Sequence, residues 1–271
     1  MLINGLKVNQ IESNDRGLLY GDGLFETIQV KNGKLIFWDK HLARLFSGCD
    51  RLKIHRPDEN VLFTEARTLC DGVEKGVLKL IYTRGCGGRG YRYTETGEPG
   101  RILQRHSWPD HPERYKTEGI RIRLCETRLG HNSLLAGLKH LNRLEQVLAR
   151  SEWQDSENVV EGLMADEQGN IIEGTMSNIF YVSDNTLFTP DLSQCGVEGI
   201  IRNLILEYAS MKNLKYTVKK VSVENLRNAD EIFVTNSIIG LWPVNRFEDR
   251  EYQVGPMSKK IAEHIDTLTS L

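Results

Sequence analysis

Cysteine pairs, metal-ligand clusters, apolar runs and one-sided charge are all scarce in this sequence. None of the five cysteines (Cys49, Cys70, Cys86, Cys125, Cys195) stands in a C-x-x-C pair, and an odd number cannot pair completely within one chain, so reduced thiols are expected. The seven histidines make no H-x-x-x-H or Cys/His cluster, which leaves a zinc site without support and predicts no metal. No stretch approaches the ~18 consecutive apolar residues of a membrane span. The opening MLINGLKVNQIESNDRG has no basic segment ahead of an apolar core, so a cytoplasmic protein with no membrane partner is expected. The formal net charge is −2 and no basic run occurs, which removes the electrostatic footprint of a nucleic-acid binder.

What remains is an ordinary globular composition over 271 residues, long enough for two medium domains. ETIQV and KLIFW flank Asn32–Gly33, a strong hairpin signal because that turn needs positive φ at both central positions. Asp39 is placed to cap a helix whose apolar residues Leu42, Leu45, Phe46, Cys49 and Leu52 recur at helical spacing. DENVLFTEARTLC predicts a second helix and GVLKLIYT a buried strand. The first 110 residues therefore form an α+β unit. SWPDHPERYKTE loses periodicity and holds two prolines, which predicts a linker over 111–118 and a second domain over 119–271. There GIRIRLC, NVVEGLMADEQGNIIEG, SNIFYV and DEIFVT predict strands, and GIIRNLILEYA and PMSKKIAEHIDTL predict helices.

GCGGRG at 85–90 satisfies G-x-G-x-x-G, but YRYTETGEPG after it cannot be the helix a dinucleotide fingerprint must open. Neither a P-loop nor a G-x-S-x-G elbow is present. Three other features carry chemistry. In LLAGLKHLNRLEQVLAR, a leucine stripe (Leu138, Leu141, Leu144, Leu148) predicts a helix with Lys139 at its start. The positive potential of that terminus, with His140 and Arg143 nearby, would disfavour an ammonium and release an amine for nucleophilic or basic work. In GNIIEGTMSNIF, Glu173 ends an apolar strand. In QCGVEGIIRNLILEY, Gly199 exposes the amides of Ile200 and Ile201 at a helix start, a cradle for a phosphate dianion. Each alone has an ordinary reading: a solvated lysine, a turn carboxylate, a plain helix start. An amine, a carboxylate and a phosphate cradle are together what holding pyridoxal phosphate requires.

DRGLLYGDGLFETIQV, FWDKHLARL, LKHLNRLEQVLAR, IIEGTMSNIF and GVEGIIRN, in that order along nearly the whole chain, resemble the fold-type IV pyridoxal-phosphate enzymes, a family of branched-chain and D-amino-acid transaminases and of lyases. The resemblance implies a two-domain α+β fold like that of the D-amino-acid aminotransferases, with an N-terminal α/β sandwich and a C-terminal pseudo-barrel surrounded by helices. It implies pyridoxal 5'-phosphate as cofactor, Lys139 as its covalent anchor and proton carrier, Glu173 facing the pyridine nitrogen, and Arg44 on the phosphate. The amides of Ile200 and Ile201 and the hydroxyl of Ser237 would complete the phosphate site, with Val197 against the ring face. Arg89 and Tyr91 would take a substrate carboxylate, Asn236 would lie near the substrate amine, and Thr27 would assist Lys139 in proton transfer. RGCGGRGY with LAGLKHLNRLEQVL most resembles the lyase branch, which implies elimination of pyruvate from 4-amino-4-deoxychorismate to give 4-aminobenzoate. The alternative is a transaminase of D-amino or branched-chain amino acids. Leu144 stands where branched-chain transaminases carry a tyrosine, five residues after the lysine, which argues against that branch. The family also implies a homodimer.

Overall fold

The computed structural model describes residues 1–94 and 97–270. The chain divides into two compact units, Met1–Pro109 with Leu138–Asn142, and Asp110–Gly137 with Arg143–Leu271. This differs from the expected partition in two ways. The anticipated linker carries a short helix, Arg114–Thr117, and belongs to the second unit. A five-residue piece from the middle of the expected C-terminal domain, the one carrying Lys139, packs with the first unit.

The first unit is an antiparallel sheet of β1 (Leu2–Ile3), β2 (Gly23–Lys31), β3 (Lys34–Leu35), β4 (Lys75–Thr83) and β5 (Gly100–Ser107), in the spatial order β1-β5-β4-β2-β3. Its helices are α1 (Arg16–Tyr20), α2 (Trp38–Leu52) and α3 (Glu59–Cys70). The Asn32–Gly33 turn forms with φ of +49° and +71°, and Val30 pairs with Leu35 across it. Period-two alternation buries Leu24, Ile28 and Val30 on one face of β2, and the helical spacing of α2 buries Leu42, Leu45 and Cys49. Asp39 is not the cap of α2. The helix starts at Trp38, and the preceding Phe37, at φ +56°, gives no side-chain cap, so Asp39 falls in the first turn. Asp58 does cap α3, accepting the Val61 N–H at 3.0 Å.

In the second unit, the sheet joins β6 (Ile120–Leu129), β7 (Glu161–Asp166), β8 (Ile171–Gly174), β9 (Asn178–Ser183), β10 (Thr186–Pro190), β11 (Tyr216–Lys219), β12 (Glu231–Asn236), β13 (Gly240–Phe247) and β14 (Arg250–Glu251). The spatial order is β11-β10-β9-β12-β13-β6-β7-β8, with β14 on β13. A bridge between Ile171 on the last strand and Val221, just beyond β11, ties the two ends of the order together, the closure that a pseudo-barrel requires. β7 is buried on both faces, and its interior, residues 162–165, is a continuous apolar stretch for that reason. The helices are α4 (Arg114–Thr117), α5 (Leu144–Arg150), α6 (Ile200–Met211), α7 (Val223–Arg227) and α8 (Pro256–Thr269). Among the described residues no helix is long and apolar enough to cross a membrane.

The helix expected to start at Lys139 is present only from Leu144. Gly137 takes φ +80°, and residues 139–141 run extended against β2: the Phe25 N–H donates to the Lys139 carbonyl at 2.9 Å and the Leu141 N–H to that of Gly23 at 3.0 Å. Tertiary strand pairing overrides the helical propensity of the leucines. Nor does the stripe form one buried face, because Leu138 is 3 % exposed whereas Leu144 is 76 % and Leu148 59 % exposed.

Candidate active site

In the first unit, Lys139 owes its position to a strand register. Its segment pairs with the start of β2 so that Leu24 faces His140 and Lys139 faces Phe25. The lysine is half-buried, with Nζ 4.3 Å from the centre of the Phe25 ring. The expected source of its special environment, a helix N-terminus, is therefore replaced by an aromatic face and the neighbouring cations. One of these is Lys79, which pairs with Thr27 across β2/β4 and brings its own Nζ to 5.7 Å from the same ring. Thr27 lies on the Phe25 face of β2, two residues along, and is half-buried. Lys79 went unnoticed in the sequence because a lysine alternating with buried residues reads as a solvated strand position.

On the opposite face of β2, Glu26 is buried among Leu24, Ile28 and Val30. Its carboxylate accepts Arg44 Nε at 2.8 Å and Nη2 at 2.5 Å, and it contacts His41 Nδ1 at 2.6 Å. Burial alone would raise the Glu26 pKa, but the Arg44 charge and hydrogen bonds, then those of His41, hold it down at about 2. Burial lowers the His41 pKa; Glu26 opposes that shift, while Arg44 and Lys139 add to it. The imidazole is thus neutral at pH 7, with Nδ1–H donating to Glu26. Its Nε2 has no hydrogen-bond partner among the described residues. Glu26 fixes the plane of the Arg44 guanidinium, which bidentate pairing does better than any single charge.

Arg89 is exposed on the glycine-rich loop, and Tyr91, 85 % exposed, sets its ring edge-on to Tyr20 at 5.6 Å. No helix opens after Gly90 among residues 91–94, in keeping with the rejection of a dinucleotide site.

The second unit holds the other expected residues. Glu173, on β8, is 4 % exposed; its Oε2 accepts the Val197 N–H at 2.8 Å and its Oε1 the Gln146 side-chain N–H at 3.4 Å. Burial lowers the Arg143 pKa while the Glu173 charge counters it, which places a cation within electrostatic reach of the carboxylate. The half-buried Val197 is held on both sides of its peptide. Asn178 Nδ2 donates to its carbonyl at 2.8 Å, and a parallel bridge joins it to Gly137. A Cβ on Gly199 would come within 1.9 Å of Asn178 Oδ1, so only glycine permits that approach. Gly199 then caps α6 without any side-chain bond, and the helix's first i−4 pair, Asn203 N–H to the Gly199 carbonyl, leaves the amides of Ile200 and Ile201 without an intrahelical acceptor.

Asn236 does something other than expected. Its Oδ1 accepts the N–H groups of Ile238 and Ile239 at 2.8 and 3.0 Å, and its Nδ2 donates to the Met176 carbonyl at 3.0 Å. It builds the β12–β13 turn on which the half-buried Ser237 sits, through side-chain bonds to backbone. Beside it, Thr235 is 1 % exposed and its hydroxyl has no partner among the described residues. Glu161, 1 % exposed, gathers the hydroxyls of Thr175 and Ser177 at 2.6 and 2.7 Å and the Thr175 N–H at 3.1 Å, shaping the turn that follows Glu173.

Residues 23–247 match the family model for class IV amino-transferases, and the chain belongs to that family. Within it, the chain is 34 % identical to an aminodeoxychorismate lyase of Vibrio harveyi, covering 98 % of this chain and 99 % of that protein. A crystal structure of 4-amino-4-deoxychorismate lyase from Pseudomonas aeruginosa superposes with a TM-score of 0.94 at 43 % identity, over 98 % of each chain. A putative branched-chain-amino-acid aminotransferase of Methanocaldococcus jannaschii is 30 % identical, over 96 % of this chain and 93 % of its own.

Proposed function

We infer that this protein is a lyase that uses pyridoxal 5'-phosphate to convert 4-amino-4-deoxychorismate into 4-aminobenzoate and pyruvate. One observation carries the choice of lyase over transaminase: the 43 % identity, with a TM-score of 0.94, to a lyase of that activity over 98 % of each chain. The residues suit the cofactor. A helix of 12 residues offers uncapped amides to an anion, a fixed guanidinium supplies a second anion site, a buried carboxylate can accept a ring N–H, and a lysine amine lies on an aromatic face.

Pyridoxal phosphate, when bound, supplies an aldehyde carbon for Lys139 and a ring that draws off electron density during the elimination. Lys139 Nζ takes the proton from the amine-bearing carbon of the substrate. Arg44, the amides of Ile200 and Ile201, and the Ser237 hydroxyl would hold the phosphate, Glu173 would keep the pyridine nitrogen protonated, and Val197 would pack on the ring. Thr27 passes a proton between Lys139 and the departing enolpyruvyl group, which leaves as pyruvate. Arg89, Tyr91 and Lys79 recognise substrate carboxylates. The protein acts as a homodimer in the cytoplasm. Support comes from the outward Leu144, Val147 and Leu148 of α5 together with Leu134, all more than half exposed, and from five free thiols.

Purified protein given 4-amino-4-deoxychorismate should release pyruvate with no 2-oxo acid present. A strict requirement for 2-oxoglutarate would instead establish the transaminase reading, which the M. jannaschii relative favours and Leu144, exposed where a tyrosine is expected, disfavours. Glu173→Gln should cost roughly a hundredfold in kcat, the scale of one lost electrostatic stabiliser. The variant should still fold, because the amide oxygen still accepts the Val197 N–H, with a lower melting temperature from the lost charge that counters the burial of Arg143. Unchanged turnover in that variant removes Glu173 from the chemistry.

A further inference from the structure

Arg16 opens α1 just before the glycine-rich loop's nearest neighbours, and it is only 4 % exposed. Its Nε donates to Asp22 Oδ2 at 3.0 Å, Nη1 to the Gly90 carbonyl at 2.9 Å and Nη2 to the Tyr91 carbonyl at 3.1 Å. Its guanidinium carbon lies 4.7 Å from the centre of the Tyr20 ring, and the Tyr20 hydroxyl accepts the Gly90 N–H at 3.1 Å. A Cβ on Gly87 would meet Arg16 Cδ at 2.9 Å, so the loop's glycine lets the backbone lie on the arginine stem. Further back, the Arg16 N–H donates to the Gly85 carbonyl at 2.9 Å. All three nitrogens of one buried side chain are thus spent on holding Gly90 and Tyr91 and anchoring them to Asp22, while the backbone N–H of the same residue holds Gly85.

We propose that Arg16 is the positioning residue that latches the glycine-rich loop in the conformation presenting Arg89 and Tyr91 to a substrate carboxylate; this rests on the lyase reading above. Five fixed donors in one plane can span a carboxylate and two carbonyls, whereas an ammonium cannot. Arg16→Lys therefore keeps the charge beside Asp22 and releases the loop. Asp22 itself stays in place, because Arg84 holds it through Nε at 2.7 Å and Nη2 at 3.0 Å. The Gly23 carbonyl that receives the Leu141 N–H is then undisturbed, and with it the segment carrying Lys139.

The test uses the full-length holoenzyme. In Arg16→Lys, amide hydrogen exchange over residues 87–92 should rise about tenfold and KM for 4-amino-4-deoxychorismate should rise roughly tenfold to a hundredfold, with kcat within about threefold. A general structural defect would lower kcat as well and speed exchange in β4. Tyr20→Phe, which removes only the acceptor of the Gly90 N–H, should shift both readouts the same way by about threefold, and it carries the test should Arg16→Lys not fold. Unchanged exchange in the folded variants overturns the latch. Faster exchange with unchanged KM overturns the loop's role in substrate recognition, while the lyase reading is judged separately by acceptor-free pyruvate release from the wild type.

Discussion

Lys139→Ala should lose turnover by at least about 10⁴-fold, the upper range for a positioned proton-transfer group, and should no longer retain pyridoxal phosphate through borohydride reduction and denaturation. Stability should barely move. The bonds that fix this segment run through backbone atoms, from the Phe25 N–H to the Lys139 carbonyl and from the Leu141 N–H to the Gly23 carbonyl, and alanine keeps all of them. The contact of its Nζ with the Phe25 ring is of a kind worth about 0.5–1 kcal/mol near the surface. A fall in melting temperature of no more than about 4 °C is therefore expected for a chain of this size. Mass spectrometry of the reduced protein, a pyruvate assay and a thermal melt read the three quantities independently. A variant that still turned over near the wild-type rate would strip Lys139 of its assigned chemistry, and one that unfolded would show that the segment depends on more than its backbone pairing.

The same lysine shows how far the sequence could be read. Its motif is legible from its neighbours, but the helix terminus expected beside it is absent, because a leucine-rich window has the same pattern whether or not a strand captures its first half. Gly137 is the residue that decides this. Its φ of +80° turns the chain out of a helical path, and nothing in LLAGLKHLN distinguishes such a glycine from one tolerated inside a helix. Strands β2, β4, β6 to β9 and β12 and the long helices α3, α6 and α8 followed from periodicity, since burial imposes it locally, whereas β5, β10, β11 and β13 did not. Glu26 was legible in principle, being a carboxylate in the apolar phase of Leu24, Ile28 and Val30, and such a residue needs a buried partner. Its partners lie on α2, however, and no spacing rule couples a strand to a helix fifteen residues on. Arg16, Lys79 and Glu161 left no local signal, because each acts on backbone or rings distant in sequence. The turn-building bonds of Asn236 left no local signal for a related cause: asparagine serves turns and ligands with the same two atoms, and the β12–β13 geometry adds the turn role.

Glu26→Gln should destabilise the protein by about 3 kcal/mol, toward the lower end of the range for removing one member of a buried ion pair. The low end follows from Arg44, whose side chain is 15 % exposed and can recover some hydration, whereas the Glu26 side chain is 1 % exposed. His41, 1 % exposed, loses the charge that accepts its Nδ1–H but can turn to the amide oxygen. A fall in melting temperature of roughly 10 °C at pH 7 is expected. The sign of the pH dependence follows from a folded pKa near 2 against an ordinary 4.5. Wild-type protein has the full contribution of Glu26 above pH 4.5 and loses it as the pH falls toward 2, a loss that Glu26→Gln, having no proton to gain there, does not share. The difference in stability between wild type and variant should therefore shrink as pH is lowered from 6 to 3. Because Glu26 also fixes the Arg44 plane, the apo variant should bind pyridoxal phosphate more weakly by about tenfold in a fluorescence titration, an effect of orientation on a charge-assisted bond. Melting curves that coincide at pH 7, or a gap that stays constant down to pH 3, would show that the Glu26 carboxylate is not held ionised by Arg44 and His41.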